Sequence, residues 1–151
     1  MVQMVSGDGR YVQRGRDLRH LLNGEWIMPI LVALSAGPLH YNELQSAVQG
    51  LSPFDPWTGV ERKIQGRALS RTLGRMVSNK LVDRFEEQTF PRAVVYSLTP
   101  AAADLIARVK PLIEWADEHH DLIEQAQRLQ SNGQQDQVLD GDASDDDEQP
   151  D

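Results

Sequence analysis

The chain has 151 residues, 40% of them hydrophobic, a formal net charge of −8 and no cysteine. That length suits one domain with a core of its own. The lack of cysteine excludes disulfides, thiolate metal sites, thiol catalysis and thiol-based sensing.

The charge is unevenly placed. Residues 131–151 carry eight acids (Asp136, Asp140, Asp142, Asp145, Asp146, Asp147, Glu148 and Asp151) and no base, which leaves 15 acids against 15 bases in residues 1–130. Within that neutral body, Arg62 to Arg92 hold eight bases and three acids. Such a patch can meet a polyanion although the whole chain is acidic. No apolar run approaches the roughly 20 residues that cross a bilayer. The stretch MVQMVSGDGR has no apolar segment of the signal-peptide kind. The expectation is a cytoplasmic protein without membrane contact.

In chain order, residues 1–16 are weakly patterned and are expected to form a flexible arm ahead of one domain over 17–130. Asp17 to Asn23 is predicted as a short helix, broken by Gly24. Glu25 to Ala36 follows as an apolar helix, with Trp26, Ile27, Ile30, Leu31 and Leu34 at helical spacing. Pro29 stands in its first turn, where a missing N–H costs little, and Gly37-Pro38 ends it. In LHYNELQSAV, Asn42 is the expected N-cap, with Gln45 three residues on as in a capping box, and Leu44 and Val48 face inward. Gly50 to Lys63 is predicted as an unusually long loop carrying Phe54 and Trp57.

Gly66 to Asn79 returns to helix. Leu69, Leu73, Met76 and Val77 form its apolar face, and Arg67, Ser70, Arg71 and Arg75 lie away from it. No acid stands three or four residues on to pair with these arginines. Like charges four apart disfavour a helix by a few tenths of a kcal/mol per pair. A stripe that costs stability calls for a partner outside the helix. Leu81 to Leu98 is predicted as a β-hairpin with its tip at residues 88–92. Thr99-Pro100 then caps a long helix to about Gln130, interrupted by Pro111. Residues 131–151 form an acidic tail too poor in apolar residues to order itself.

The element order is that of a winged helix-turn-helix: mainly α, with one small β-hairpin. In such a motif the second helix enters the major groove of DNA and presents donors to bases and phosphates. No phosphate loop, nucleophile elbow or paired His/carboxylate motif is present. Adjacent His119 and His120 point about 100° apart on a helix and cannot easily share one ion. No enzyme activity, cofactor or metal is expected.

An ordered set of short motifs resembles the HxlR-type transcription regulators, a MarR-like winged-helix family. These are Gly24-Glu25-Trp26, Ile30-Leu31, Gly37-Pro38 and Asn42-Glu43-Leu44. They continue with Leu69 to Met76, Lys80 to Arg84, Pro91-Arg92 and Tyr96 to Thr99, and end with Pro111 and Trp115. The likeness covers roughly residues 15 to 120. It implies a homodimeric regulator of double-stranded DNA, with N- and C-terminal dimerisation helices outside the wing. Three departures stand out. The chain has no cysteine ahead of its first helix, where many members sense oxidants. It has extra residues between the two helices of the helix-turn-helix. It has Glu25 where the family has lysine.

The candidate DNA contacts are Arg67, Ser70 and Arg71 for bases, with Arg75, Asn42, Gln45 and Arg92 for phosphate or the adjacent groove. Tyr41 stands at the same helix start as Asn42. Phe54 and Trp57 are candidates for a small-molecule effector. Two alternatives remain open: a winged-helix module that binds protein, and a ligand-binding protein without an operator.

Overall fold

The structure is a computed structural model that describes residues 9–51 and 54–140; for residues 135–140 only the backbone is described. The elements in order are α1 (Gly9–Leu21), α2 (Ile27–Leu34), β1 (Leu39–His40), α3 (Tyr41–Leu51), β2 (Phe54–Asp55) and β3 (Val60–Glu61). They continue with α4 (Gly66–Ser78), β4 (Val82–Glu86), β5 (Val94–Leu98), α5 (Pro100–Glu118) and α6 (His120–Asp140). The chain divides into two compact units. One holds α1 to α4, the sheet β1-β5-β4 and the start of α5. The other holds the β2–β3 hairpin, the rest of α5 and α6.

The first unit is built on an apolar core. Ile27, Ile30, Leu31 and Leu34 from α2 meet Leu44 and Val48 from α3, and Leu69, Leu73 and Met76 from α4. Ile64, Leu81, Val82, Tyr96 and Ala102 complete the cluster. No polar or charged side chain among the described residues is buried. The helical spacing of these apolar residues lets three helices share one core. The sheet is antiparallel in the order β1-β5-β4, with Leu39 opposite Tyr96 and Arg84 also opposite Tyr96.

Two junctions fix α4 and the wing. At the end of α4, the Leu81 N–H bonds the Met76 carbonyl at 3.0 Å and the Lys80 N–H bonds the Val77 carbonyl at 3.1 Å. This is a Schellman turn, with Lys80 at φ 61° in the position that usually takes glycine. Thr99 joins that turn to α5. Its hydroxyl donates to the Lys80 carbonyl at 2.8 Å and accepts from the Ala102 N–H at 3.2 Å, the N-cap expected from the sequence.

Several expectations need correcting. Residues 9–16, expected as arm, are helical in α1. Gln13 and Arg14 both reach Asp17 at 2.9 Å, which supports a helix whose apolar pattern is weak. Residues 1–8 lie outside the described residues. The cap of α3 is not Asn42 with Gln45: Glu43 accepts from the His40 N–H at 3.0 Å, so His40 is the cap and Asn42 lies inside the helix. The expected loop contains a hairpin, with Phe54 opposite Glu61 and Asp55 opposite Val60. Asp55 accepts from the Trp57 N–H at 3.0 Å and so closes the turn with its own side chain. The helix from Pro100 passes through Pro111 and is interrupted at His119 instead. Across that boundary the His119 ring stacks on Trp115 with centroids 4.6 Å apart. Finally, α6 continues to Asp140, inside the expected tail; residues 141–151 lie outside the described residues.

Candidate nucleic-acid interface

The amphipathic pattern of α4 decides which of its side chains meet solvent. Leu69, Leu73 and Met76 are fully inward. Arg67, Ser70 and Arg71 are exposed on the other side, and no acid among the described residues pairs with Arg67 or Arg71. Two guanidiniums therefore stand free, with their donor forks available to guanine edges or phosphate oxygens.

Ser70 is held by a neighbour. The Tyr41 hydroxyl donates to the Gly66 carbonyl at 2.8 Å and lies 3.0 Å from Ser70 Oγ. With its one proton given to Gly66, Tyr41 can only accept from Ser70. That leaves Ser70 Oγ with free lone pairs and no free donor, suited to the amino group of adenine or cytosine. Tyr41 thus positions α4 and sets the hydrogen-bonding sense of Ser70. Gln49 adds a second tie, donating from Nε2 to the Ile64 carbonyl at 3.0 Å. Together they fasten α3 to the start of α4 on either side of the extra residues.

Arg75 is engaged elsewhere. Its Nη2 donates to the Asn23 carbonyl. It therefore braces the turn before α2, and the structure sets it apart from Arg67 and Arg71. Asn42 is exposed on the first turn of α3, and Gln45 is half-buried facing Gly66. Arg92 is exposed at the wing tip, and neither it nor Arg84 has an acidic partner among the described residues.

The base of the wing is clasped to α3. His40 Nδ1 lies 2.5 Å from Glu43 Oε1, and its Nε2 lies 3.2 Å from Glu87 Oε1. Hydrogen bonding to Glu43, then to Glu87, raises the His40 pKa above 6.5. The bonds from the His40 backbone and ring lower that of Glu43. Sequence reasoning missed this clasp; its local signal was the His-x-x-Glu spacing at the helix start, whereas Glu87 lies 47 residues further on.

In the second unit, Phe54 is 54% and Trp57 39% exposed. An open polar cleft there is lined by Pro56, Glu124, Gln127, Arg128, Ser131 and Asn132, and neither aromatic belongs to its lining. His120, Asp121 and Glu124 come together on the first turns of α6, all exposed. His120 already pairs with Glu124 at 3.1 Å and with Asp121 at 3.3 Å.

Residues 56–124 match the HxlR-like helix-turn-helix family. That segment is similar to the family, and the fold around it is a winged helix-turn-helix. No curated protein matches it in sequence. A MarR-family transcriptional regulator from Enterococcus faecalis V583 has the same fold, with a TM-score of 0.61 at 23% identity over 83% of this chain and 99% of that one. The redox regulator HypR in its reduced form gives 0.60 at 20% identity, covering 74% and 98% of the two chains. The transcriptional regulator YodB of B. subtilis, also reduced, gives 0.58 at 22% identity, covering 77% and 95%. The HxlR-like match takes in α4, the wing and α5.

Proposed function

We propose that this HxlR-like chain is a homodimeric, sequence-specific transcription regulator, with α4 in the major groove and residues 88–92 on the adjacent groove. The observation that carries the reading is the pair of guanidiniums, Arg67 and Arg71, on the outer face of α4 beside Ser70, without an acidic partner among the described residues. Asn42 and Gln45 on α3 and Arg92 on the wing supply the flanking contacts. Arg75 is left to its contact with Asn23. The dimer forms through α1 and the C-terminal helices, which expose Tyr11, Val12 and Leu18, and Leu112, Ile113, Trp115, Leu122 and Leu129. With no cysteine to oxidise, control falls to a small molecule, for which Phe54 and Trp57 are the contacts to test.

Selection of bound genomic fragments by the purified protein at physiological salt tests the reading. The expected result is a pseudo-palindrome with half-sites about 10 bp apart or a multiple of that. Arg71→Ala is then expected to weaken specific binding by about 1–3 kcal/mol and to relax the preference at one base. A folded dimer that enriches no sequence would remove the proposal. Affinity indifferent to salt would favour the protein-binding alternative, since neutralised phosphates make DNA affinity fall steeply with salt.

A further inference from the structure

Phe90 is 95% exposed, more than any other large apolar side chain described. It stands at the tip of the wing, beyond the last ladder bond from the Glu87 N–H to the Ala93 carbonyl at 2.8 Å. Two residues on is Arg92, exposed and without an acidic partner among the described residues. The strand below the tip is held at both ends. The Schellman turn ties β4 to α4, and His40 bridges Glu43 and Glu87 at the wing base. An aromatic ring kept in water on a braced hairpin, beside a free guanidinium, suits a partner with both apolar faces and negative charge. Duplex DNA has both, in its base steps and its phosphates. Phenylalanine can offer no hydrogen bond to a base edge. What it can do is enter a groove and separate a pair of stacked bases, as apolar wedges of minor-groove proteins do.

We propose that Phe90 is such a wedge: with α4 seated in the major groove, the wing brings Phe90 into the neighbouring minor groove, where it opens one base step and bends the duplex. The proposal rests on the DNA-binding reading above and adds a specificity element to it. A pyrimidine–purine step unstacks most easily, so the wedge selects such a step at a position where no side chain reads a base. Arg92 holds the phosphates beside the opened step.

The test uses the full chain and its selected operator, labelled at both ends for energy transfer and carrying 2-aminopurine at candidate steps under the wing. Phe90→Ala is expected to bind roughly 5- to 100-fold more weakly. The slope of log affinity against log salt should stay unchanged, because no phosphate contact is lost. The bend and the 2-aminopurine signal should disappear, and Phe90→Trp should keep both. Arg92→Ala is expected to reduce the salt slope by about one and to keep the bend. Phe90→Ala that binds and bends DNA like the parent overturns the wedge and leaves the DNA-binding reading intact. Loss of the dimer on sedimentation with Phe90→Ala also overturns it, by assigning the ring to a second copy. A parent protein that selects no DNA removes both proposals together.

Discussion

Arg75 follows Arg67 and Arg71 at the same spacing, yet it does different work. Its guanidinium closes on the Asn23 carbonyl and lies against Gly24. Gly24 is at φ +153°, and a Cβ there would lie 2.9 Å from Arg75 Nη2 and 3.1 Å from Ile27 Cγ1. The backbone conformation is what requires the glycine, and a side chain there would also push the Arg75 tip aside. Arg75→Ala is therefore expected to lower folding stability by about 1 kcal/mol. Its operator affinity should keep the parent's salt slope, whereas Arg67→Ala should lower the slope and leave the melting temperature alone. Thermal melts paired with salt titrations separate the two arginines. The sequence could show that all three share a face, since helical spacing is local. It could not show which one meets a carbonyl 52 residues away.

Among the elements, those with strong local signals were readable: the apolar runs of α2 and α4, and Thr99-Pro100 at the head of α5. The misses have physical causes. Residues 9–16 of α1 are all exposed, so that part of the helix has no core-facing stripe to read, unlike the end that carries Leu21. The strand β1 is two residues long, too short for alternation to show, and exists because β5 offers it an edge. The clasp from β1 and α3 to the wing makes these elements respond to pH. His40 has its pKa raised, so its contribution is complete below about 6.5 and is lost as pH rises through the higher folded value. Glu43 has its pKa lowered, so its contribution is present above 4.5 and is lost as pH falls through the lower folded value. Between these limits the imidazolium can donate to both carboxylates; a neutral ring has one N–H and must give up one of them. Melting temperature and operator affinity are expected to hold within that window and decline on either side. In His40→Ala the alkaline decline should disappear. An alkaline decline of equal size in that variant would place its cause away from the clasp.

On the scale of the whole molecule, the exposed apolar residues of α5 and α6 call for cover. Leu112 and Leu129 are each 66% exposed, and Trp115 is 47% exposed. Scattered singly such residues are ordinary, but a succession of them along two consecutive helices is what the proposed dimer would cover. Trp115→Arg is expected to shift the protein toward monomer in sedimentation and to weaken operator binding by much more than any single phosphate contact, because two half-sites would then be bound independently. A monomeric parent would remove the dimer from the proposal. The sequence signalled this surface as a helix longer than one small core needs, though nothing local could fix where the partner lies.

The ties from Tyr41 to Gly66 and from Gln49 to Ile64 have a consequence for how this chain can change. In a reader whose two DNA-facing helices are joined only by a tight turn, the linker length sets the angle. Here side chains set it, and the peptide between them is released from that duty. Lengthening an unconstrained loop costs only about 0.6 kcal/mol per doubling. The joint between α3 and α4 is thus expected to take added residues at the turn of the β2–β3 hairpin while Tyr41 and Gln49 keep α3 and α4 in place.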